Sequence, residues 1–515
     1  MKQMPDICLG FEVHQPYRIA GSFDGGRARR KKLSELHDIY LDTTLDRMVL
    51  KRVCRKCYQP ANEIIFENIE RFRGQDREFK VVYSLSGVLV EQLKSWAPET
   101  LKSFSKLVDT GCVELLDQTY YHSLSSLYTE GREEFKDQVR AHRELMEETF
   151  GVVPRVFENT EFIYHNSIGR VLGSMGYRGV FTEGAERVLG WRSPNHVYRA
   201  RDSEVAVLLR NFRLSDDIAF RFSAVDWPGW PLTADKYASW IASAWGDLVT
   251  VFIDYETFGE HQWPETGILD FLKWLPGSLL DHGNVRFVTA SEAIESHSPV
   301  GLIDIGDFDA TSWADVERTT NAWLGNDMQR TCYRALRDLE PFVRASGDED
   351  IIRLWRCLQI SDHLYYMYTQ PGASGLVHGY FSSQPPVKAF WTFSAILSDL
   401  YLRTSRKLAR PAKDSCRFLR IIPPDSAFHF HINRNYIQLS AHSLKELGEA
   451  ISMAPLGSLE YHAGRGDFEK WVRLTVGDVA LADGIRGTGG DDIRGEMLGC
   501  LNERVGELES WNRGS

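Results

Sequence analysis

Residues 251–263 read VFIDYETFGEHQW. Val251, Phe252 and Ile253, preceded by Leu248 and Val249, form an apolar, β-branched run of strand length. Polarity then arrives at once with Asp254, Glu256, Glu260 and His261, and Gly259 lets the chain turn. In open or barrel-like α/β folds the chemistry sits where strands end and loops begin. The stretch is therefore either a buried strand carrying a functional tip or a strand followed by an ordinary polar loop.

Working outward, the same pattern recurs. Residues 7–13 read as a strand that runs into Glu12, His14 and Gln15, with Pro16 stopping it before Tyr17; His14 taken alone also fits a satisfied core histidine. Residues 113–116 lead into Asp117, Gln118, Tyr120, Tyr121 and His122, and residues 156–157 into Glu158, Asn159, Thr160 and Glu161. Further strands are expected at 79–84 and 179–182, and a last one at 285–289, with Ser291 as the cap of a short helix through Ile294. Helical spacing marks 62–72, 90–95, 100–110, 132–150, 168–175, 234–245 and 268–274. Strands alternating with helices predict a parallel α/β sheet or barrel. Four strands ending in acids or imidazoles look like one pocket at one barrel mouth. Residues 189–225, with Trp191, Arg210, Asn211, Asp216 and Asp217, read as a long, looser insertion near that site.

After about residue 305 the strand alternation stops. Long helical patterns cover 327–343, 351–368 and 389–402, and within the second Ser361, Asp362, His363, Tyr365 and Tyr366 are either a buried hydrogen-bond network or a wall of the substrate cleft. In 411–515, residues 418–422 and 427–432 suggest a small hairpin, and 468–476 and 493–508 helices. The glycine-rich stretch 484–491 follows no strand of a βαβ unit, which argues against nucleotide binding. The expected division is 1–305 for the barrel, 306–410 for a helical domain completing the cleft, and 411–515 for a small, mainly helical C-terminal region of unassigned role.

The composition narrows the class. The chain has 515 residues, 43% hydrophobic and 25% charged, an ordinary globular balance for two or three domains. A net charge of −11 without a basic block argues against nucleic acid as a partner. Neither a signal-peptide pattern nor an apolar run of spanning length is present, so the expectation is a cytoplasmic protein without a membrane partner. Eight scattered cysteines fit reduced thiols, and the single Cys54-x-x-Cys57 pair lacks the four ligands of a structural zinc site. The 14 Trp, 20 Tyr and 27 Phe include rings suited to sugar faces, though most belong to the core.

Glu161 and Asp254 sit on separate strand ends. Two carboxylates converging at a barrel mouth are what glycoside hydrolysis requires. The motifs His14-Gln15-Pro16, Asn159-Thr160-Glu161 and residues 254–259 (DYETFG) resemble the signature stretches of glycoside hydrolase family 57, and residues 111–124 and 284–292 match its remaining regions more loosely. The likeness is closest to the archaeal-type α-amylase branch, through 56–62 (KCYQPAN), 190–194 (GWRSP), 214–223 (LSDDIAFRFS) and 358–367, and covers roughly residues 5–405. The resemblance implies a retaining α-glucan enzyme on an incomplete (β/α)7 barrel, acting on α-1,4 bonds of an α-glucan or maltooligosaccharide. It places Glu161 as nucleophile and Asp254 as acid/base. It places His14, His122, Glu256, His261, Asp362 and Tyr365 on substrate-contacting positions, and Trp191 of the GWRSP stretch is a further candidate. No metal or cofactor is required by this scheme. One departure is Glu158, which stands where glucanotransferase members carry a tryptophan. The alternatives are a dedicated 4-α-glucanotransferase and, below it, a metal-dependent carbohydrate deacetylase-like enzyme using His14, His122 and Asp254 as ligands. A non-catalytic glucan-binding protein fits less well, since both carboxylates are present.

Overall fold

The computed structural model describes residues 5–75, 77–128, 132–283, 285–370, 384–422, 424–488 and 492–513. Its central sheet is built from β1 (Asp6–Val13), β2 (Val81–Leu85), β3 (Val113–Leu116), β4 (Val156–Glu158), β5 (Gly179–Glu183), β6 (Val197–Ala200), β7 (Ala206–Arg210), β8 (Leu248–Asp254) and β9 (Leu302–Ile303). Seven of these run parallel in the order β3-β2-β1-β8-β7-β5-β4. The ends of that path meet: Asp117 donates its N–H to Val156 O at 3.0 Å, and Glu158 N–H reaches Asp117 O at 2.8 Å. The result is a nearly closed seven-stranded (β/α) barrel. β6 lies outside it, antiparallel to β7 and parallel to β9.

All eight residues of β1 are buried, as expected of a strand covered on both faces. Side chains alternate across it. Ile7, Leu9, Phe11 and Val13 point outward and pack with Tyr58, Ile65 and Phe104 from the helices. Cys8 points inward with Val82, Leu116, Val156, Leu208 and Phe252. Gly10 also faces inward, where a Cβ would come within 2.2 Å of the Phe252 ring. The next inward residue is Glu12, in register with Asp254 of β8. The barrel interior is thus apolar below and acidic at the top, and the acids lie at the carboxyl ends of the strands.

Helices connect the strands. Thr43–Val53 passes through a five-residue wide turn, Cys54–Tyr58, into Gln59–Phe72. Gly87–Trp96 and Pro98–Val108 lead to β3, Glu133–Phe150 to β4, Asn166–Ser174 to β5, and Phe212–Ala219 and Ala234–Ser243 to β8.

Several expectations are corrected. The insertion expected at 189–225 holds β6 and the barrel strand β7, AVLLR, which lacks the acid or imidazole tip that marked four other strands. Residues 285–289 form no strand beyond a single bridge of Phe287 to Ile7. Thr289 caps the helix Ala290–Ser296 with a capping box to Glu292, and Ser291 instead donates to Glu114 at 2.5 Å.

Beyond β9 the described chain turns helical, with Asp327–Ser346, Glu349–Leu358, Asp362–Tyr365 and Pro386–Lys407. The single helix expected at 351–368 is therefore broken, at Gln359–Ser361. Leu336, Trp355, Phe393 and Ile396 share one apolar cluster with Tyr17, Tyr121, Phe157 and Val180 of the barrel wall, which presses the helical segment onto the mouth. The C-terminal part has its own cluster around Phe428, Leu447, Phe468 and Leu501. Its hairpin joins Phe428–Ile432 to Asn435–Ala441, whereas Phe418 ends the helix Arg410–Phe418. Among the described residues no helix is long and apolar enough to cross a membrane.

Candidate active site

The floor of the mouth is a buried polar layer. Gln118 Nε2 donates to Glu12 Oε1 at 2.9 Å and to Ser84 Oγ at 2.7 Å, and Ser84 Oγ donates to Glu158 Oε2 at 3.0 Å. Burial and the charge of Glu158 raise the Glu12 carboxyl well above its ordinary range, and burial raises Glu158 to about 7. Two such acids on one floor keep a proton at neutral pH.

Two imidazoles stand on this floor. His14 and His122 stack with ring centroids 4.0 Å apart, so protonation of both is penalised. The surroundings decide which is charged. Burial works against the His122 cation, but Glu161 and Glu12 outweigh it and raise the ring to about 9. Its Nδ1 lies 3.0 Å from Gln118 Oε1 and its Nε2 3.5 Å from Glu161 Oε1. Burial, then the His122 charge, depress His14 to about 4, so His14 is neutral at pH 7. Its two nitrogens face Ser86 Oγ at 2.7 Å and Asp362 Oδ2 at 3.1 Å. Burial opposes ionisation of Asp362, but its bond to His14 and the nearby imidazoles hold it at about 2.

Glu161 is the most constrained side chain of the site. It follows β4 on a tight turn with φ 59° and ψ 25°, and Phe162 beside it has φ 55°. Left-handed backbone costs a non-glycine residue about 1 kcal/mol or more. The turn is held from several sides. Phe162 N–H bonds Asn159 O at 2.8 Å, Ser312 Oγ donates to Glu161 O at 2.9 Å, and Trp313 N–H approaches the same oxygen at 3.3 Å. The carboxylate accepts from the Trp313 indole at 2.8 Å on Oε2 and from Ser361 Oγ at 3.2 Å on Oε1.

Asp254 sits differently. It ends β8, and its side chain takes no hydrogen bond or ion pair among the described residues. Burial, then the charge of Glu161, raise it to about 7, with Arg210 and His122 opposing. Arg210 is fixed by Phe252 O at 2.7 Å, Glu183 at 2.9 Å and Asp216 at 2.7 Å. Glu256 is turned into the wall behind: it accepts from Tyr58 and, at 3.5 Å, from Gln15. Burial and Asp254 raise Glu256 to about 8. Gly259, with φ 123°, lets the following loop pass Lys56, whose carbonyl a Cβ there would meet at 2.1 Å. Burial lowers His261 on that loop to about 4.

The structure therefore brings together His14, His122, Glu161, Asp254 and Asp362, with Glu256 directly behind Asp254. Tyr365 belongs to the same wall, on the short helix with Asp362, its ring stacked on Tyr368 at 6.0 Å. Trp191 stands 93% exposed and shares no hydrogen bond or ring contact with these groups among the described residues. His14, His122 and Asp254 do not group as ligands: among the described residues no three His, Cys, Asp or Glu side chains are placed to hold a metal ion. Cys54 and Cys57 are buried with raised thiol pKa values, and Cys57 donates to Tyr255 O at 3.1 Å. Sequence reasoning missed Trp313, which lies in a polar stretch without periodicity. It named Ser361 only as part of a polar helix centre.

Comparison with known proteins shows the family and the fold. A sequence model of glycosyl hydrolase family 57 matches residues 8–306. A Methanocaldococcus jannaschii protein named "Putative alpha-amylase" is 42% identical over 417 residues, 79% of this chain and 86% of that protein. A family 57 branching enzyme from Thermococcus kodakaraensis superposes with a TM-score of 0.54 at 13% identity, over 78% of this chain and 94% of that one. An alpha-amylase from Thermotoga maritima superposes with a TM-score of 0.50 at 15% identity, over 81% of this chain and 96% of that one. The chain belongs to glycosyl hydrolase family 57 and is a glycoside hydrolase.

Proposed function

We propose that the protein is a retaining, amylase-type hydrolase of α-1,4-linked glucans, with Glu161 as nucleophile and Asp254 as acid/base. One observation carries this reading. At a single barrel mouth, one carboxylate is surrounded by hydrogen-bond donors and a second is buried and keeps its proton to about pH 7. That division of labour is what double displacement needs. In the first step a Glu161 oxygen bonds to the anomeric carbon as the glycosidic C–O bond breaks, and the Asp254 proton passes to the leaving oxygen. In the second, Asp254 takes a proton from water, whose oxygen displaces Glu161 and releases the sugar. The His122 cation offsets the charge of Glu161 before attack. Asp362, His14 and Tyr365, on the wall beside these groups, are the proposed sugar contacts. The α-glucan assignment is supported by family membership and by the names of the relatives.

Transfer to a sugar hydroxyl in place of water would make the enzyme a 4-α-glucanotransferase. Glu158 speaks against that reading: where transferases carry a ring, this chain has an acid committed to Ser84. Maltoheptaose incubated with the purified protein is expected to give only shorter sugars. A ladder containing longer products would replace hydrolysis with transfer.

A further inference from the structure

The segment after β9 returns to the barrel mouth and grips the Glu161 turn. Thr311 pairs with Tyr164 in both directions, N to O at 3.0 Å and 3.2 Å. Ser312 and the Trp313 backbone hold the Glu161 carbonyl. The Trp313 ring stacks on Phe162 at 4.6 Å and 15°, and the Arg210 guanidinium lies 5.4 Å from the same ring. Its indole N–H ends 2.8 Å from Glu161 Oε2. Oε1 faces different partners, Ser361 at 3.2 Å and His122 at 3.5 Å. The two carboxylate oxygens are thus distinguished by their surroundings.

We propose that Trp313 is a positioning residue for the reaction: its indole N–H fixes the rotation of the Glu161 carboxylate by anchoring Oε2, leaving Oε1 as the oxygen presented to the anomeric carbon. The proposal rests on the reading of Glu161 as nucleophile. A carboxylate on a two-bond stem rotates freely unless a donor holds it, and a nucleophile must meet the anomeric carbon in line. Trp313 is itself held through its ring, since Phe162 beneath it sits in the turn whose backbone the same segment grips. A nucleophilic carboxylate must be ionised, which makes its indole bond charge-assisted, and bonds of that kind are the stronger ones. On formation of the glycosyl ester, Oε1 becomes the ester oxygen and Oε2 the carbonyl oxygen. Oε2 still accepts the indole N–H, so this bond persists through the first step, whereas the bonds to Oε1 are given up.

Trp313→Phe keeps a ring against Phe162 and removes the N–H. The expected result is a fall in kcat of about 10- to 100-fold, the range for a charge-assisted hydrogen bond, with KM for maltoheptaose changed by less than about 3-fold. The same fall is expected with α-maltosyl fluoride, whose leaving group needs no proton, because the loss lies at the nucleophile and not at Asp254. Unchanged kcat on both substrates overturns the proposal. So does a raised KM with kcat retained, which would make Trp313 a sugar-binding ring. Should the Phe variant not fold, Trp313→Met, which fills the stack and carries no N–H, is read in the same way. Glu161→Gln, assayed in parallel, separates the two claims. If it stays active, the nucleophile reading fails. If it is inert while Trp313→Phe runs at full rate, only the Trp313 proposal fails.

Discussion

The two carboxylates of the mouth are made differently. Glu161 sits on a left-handed turn whose backbone and carboxylate are gripped by residues from three places: His122 after β3, Trp313 after β9 and Ser361 from the helical segment. Asp254 simply ends a buried strand, and its environment is burial plus the neighbouring charge of Glu161. Donors hold the first in place, and burial keeps a proton on the second. The same side-chain chemistry is thus given two environments, the ones that the proposed roles need. The comparison also separates what each role costs. The Glu161 turn spends backbone strain that distant segments must offset. The Asp254 end costs only the penalty of charging a buried acid.

The comparison breaks most sharply at Glu161, the proposed nucleophile. Glu161→Gln is expected to lower kcat by about 10⁴-fold or more on both maltoheptaose and α-maltosyl fluoride, with the fold retained by circular dichroism. Asp254→Asn should lose about 10²- to 10⁴-fold on maltoheptaose while still reacting with the fluoride in a burst, since fluoride leaves without a proton. Equal losses on both substrates would put the two residues in one role. The pH dependence sharpens the contrast. Asp254 must be protonated to act as acid and lies at about 7, so kcat/KM should decline about tenfold per unit as pH rises beyond about 7. A basic limb near pH 4 or 5 would show an ordinary, solvated aspartate there.

The smallest effect is on stability. Asp254 holds a proton in the folded protein, near 7, that the unfolded chain sheds near 4. Its raised value therefore gives stability that is fully present below about pH 4 and lost as pH rises through about 7. Asp254→Asn, which cannot charge, should melt a few °C above the wild type at pH 8.5, with about a third of that difference at pH 5. A constant difference across that range would remove the burial argument.

The contrast also explains what the sequence disclosed. Strand tips such as FIDYE at β8 and the residues up to Glu161 at β4 were legible because a β-branched run gives way abruptly to acids, and both features are local. β7 was not, because AVLLR ends in Arg210 and not in an acid, and the role of Arg210 depends on Glu183, Asp216 and Phe252 arriving from elsewhere. Residues 285–289 carried strand composition yet make only one bridge, since β8 takes one side of β1 and β2 takes the other from Gly10 onward, which leaves only the stretch around Ile7 to pair. The burial of Asp254 could be expected from a strand end alone. The partners of Glu161 could not: a lone tryptophan in a polar stretch and a serine at a helix break have no period to betray them. A site built by burial within one strand is readable, and a site built by convergence of distant segments is readable only at its central residue.

The most direct test is the covalent intermediate. The protein incubated with a fluorinated maltosyl fluoride that slows release of the glycosyl ester, then digested and mapped by mass spectrometry, should carry one sugar adduct on the peptide containing Glu161. An adduct on the peptide containing Asp254, or turnover with no adduct and inverted product configuration, would contradict the account.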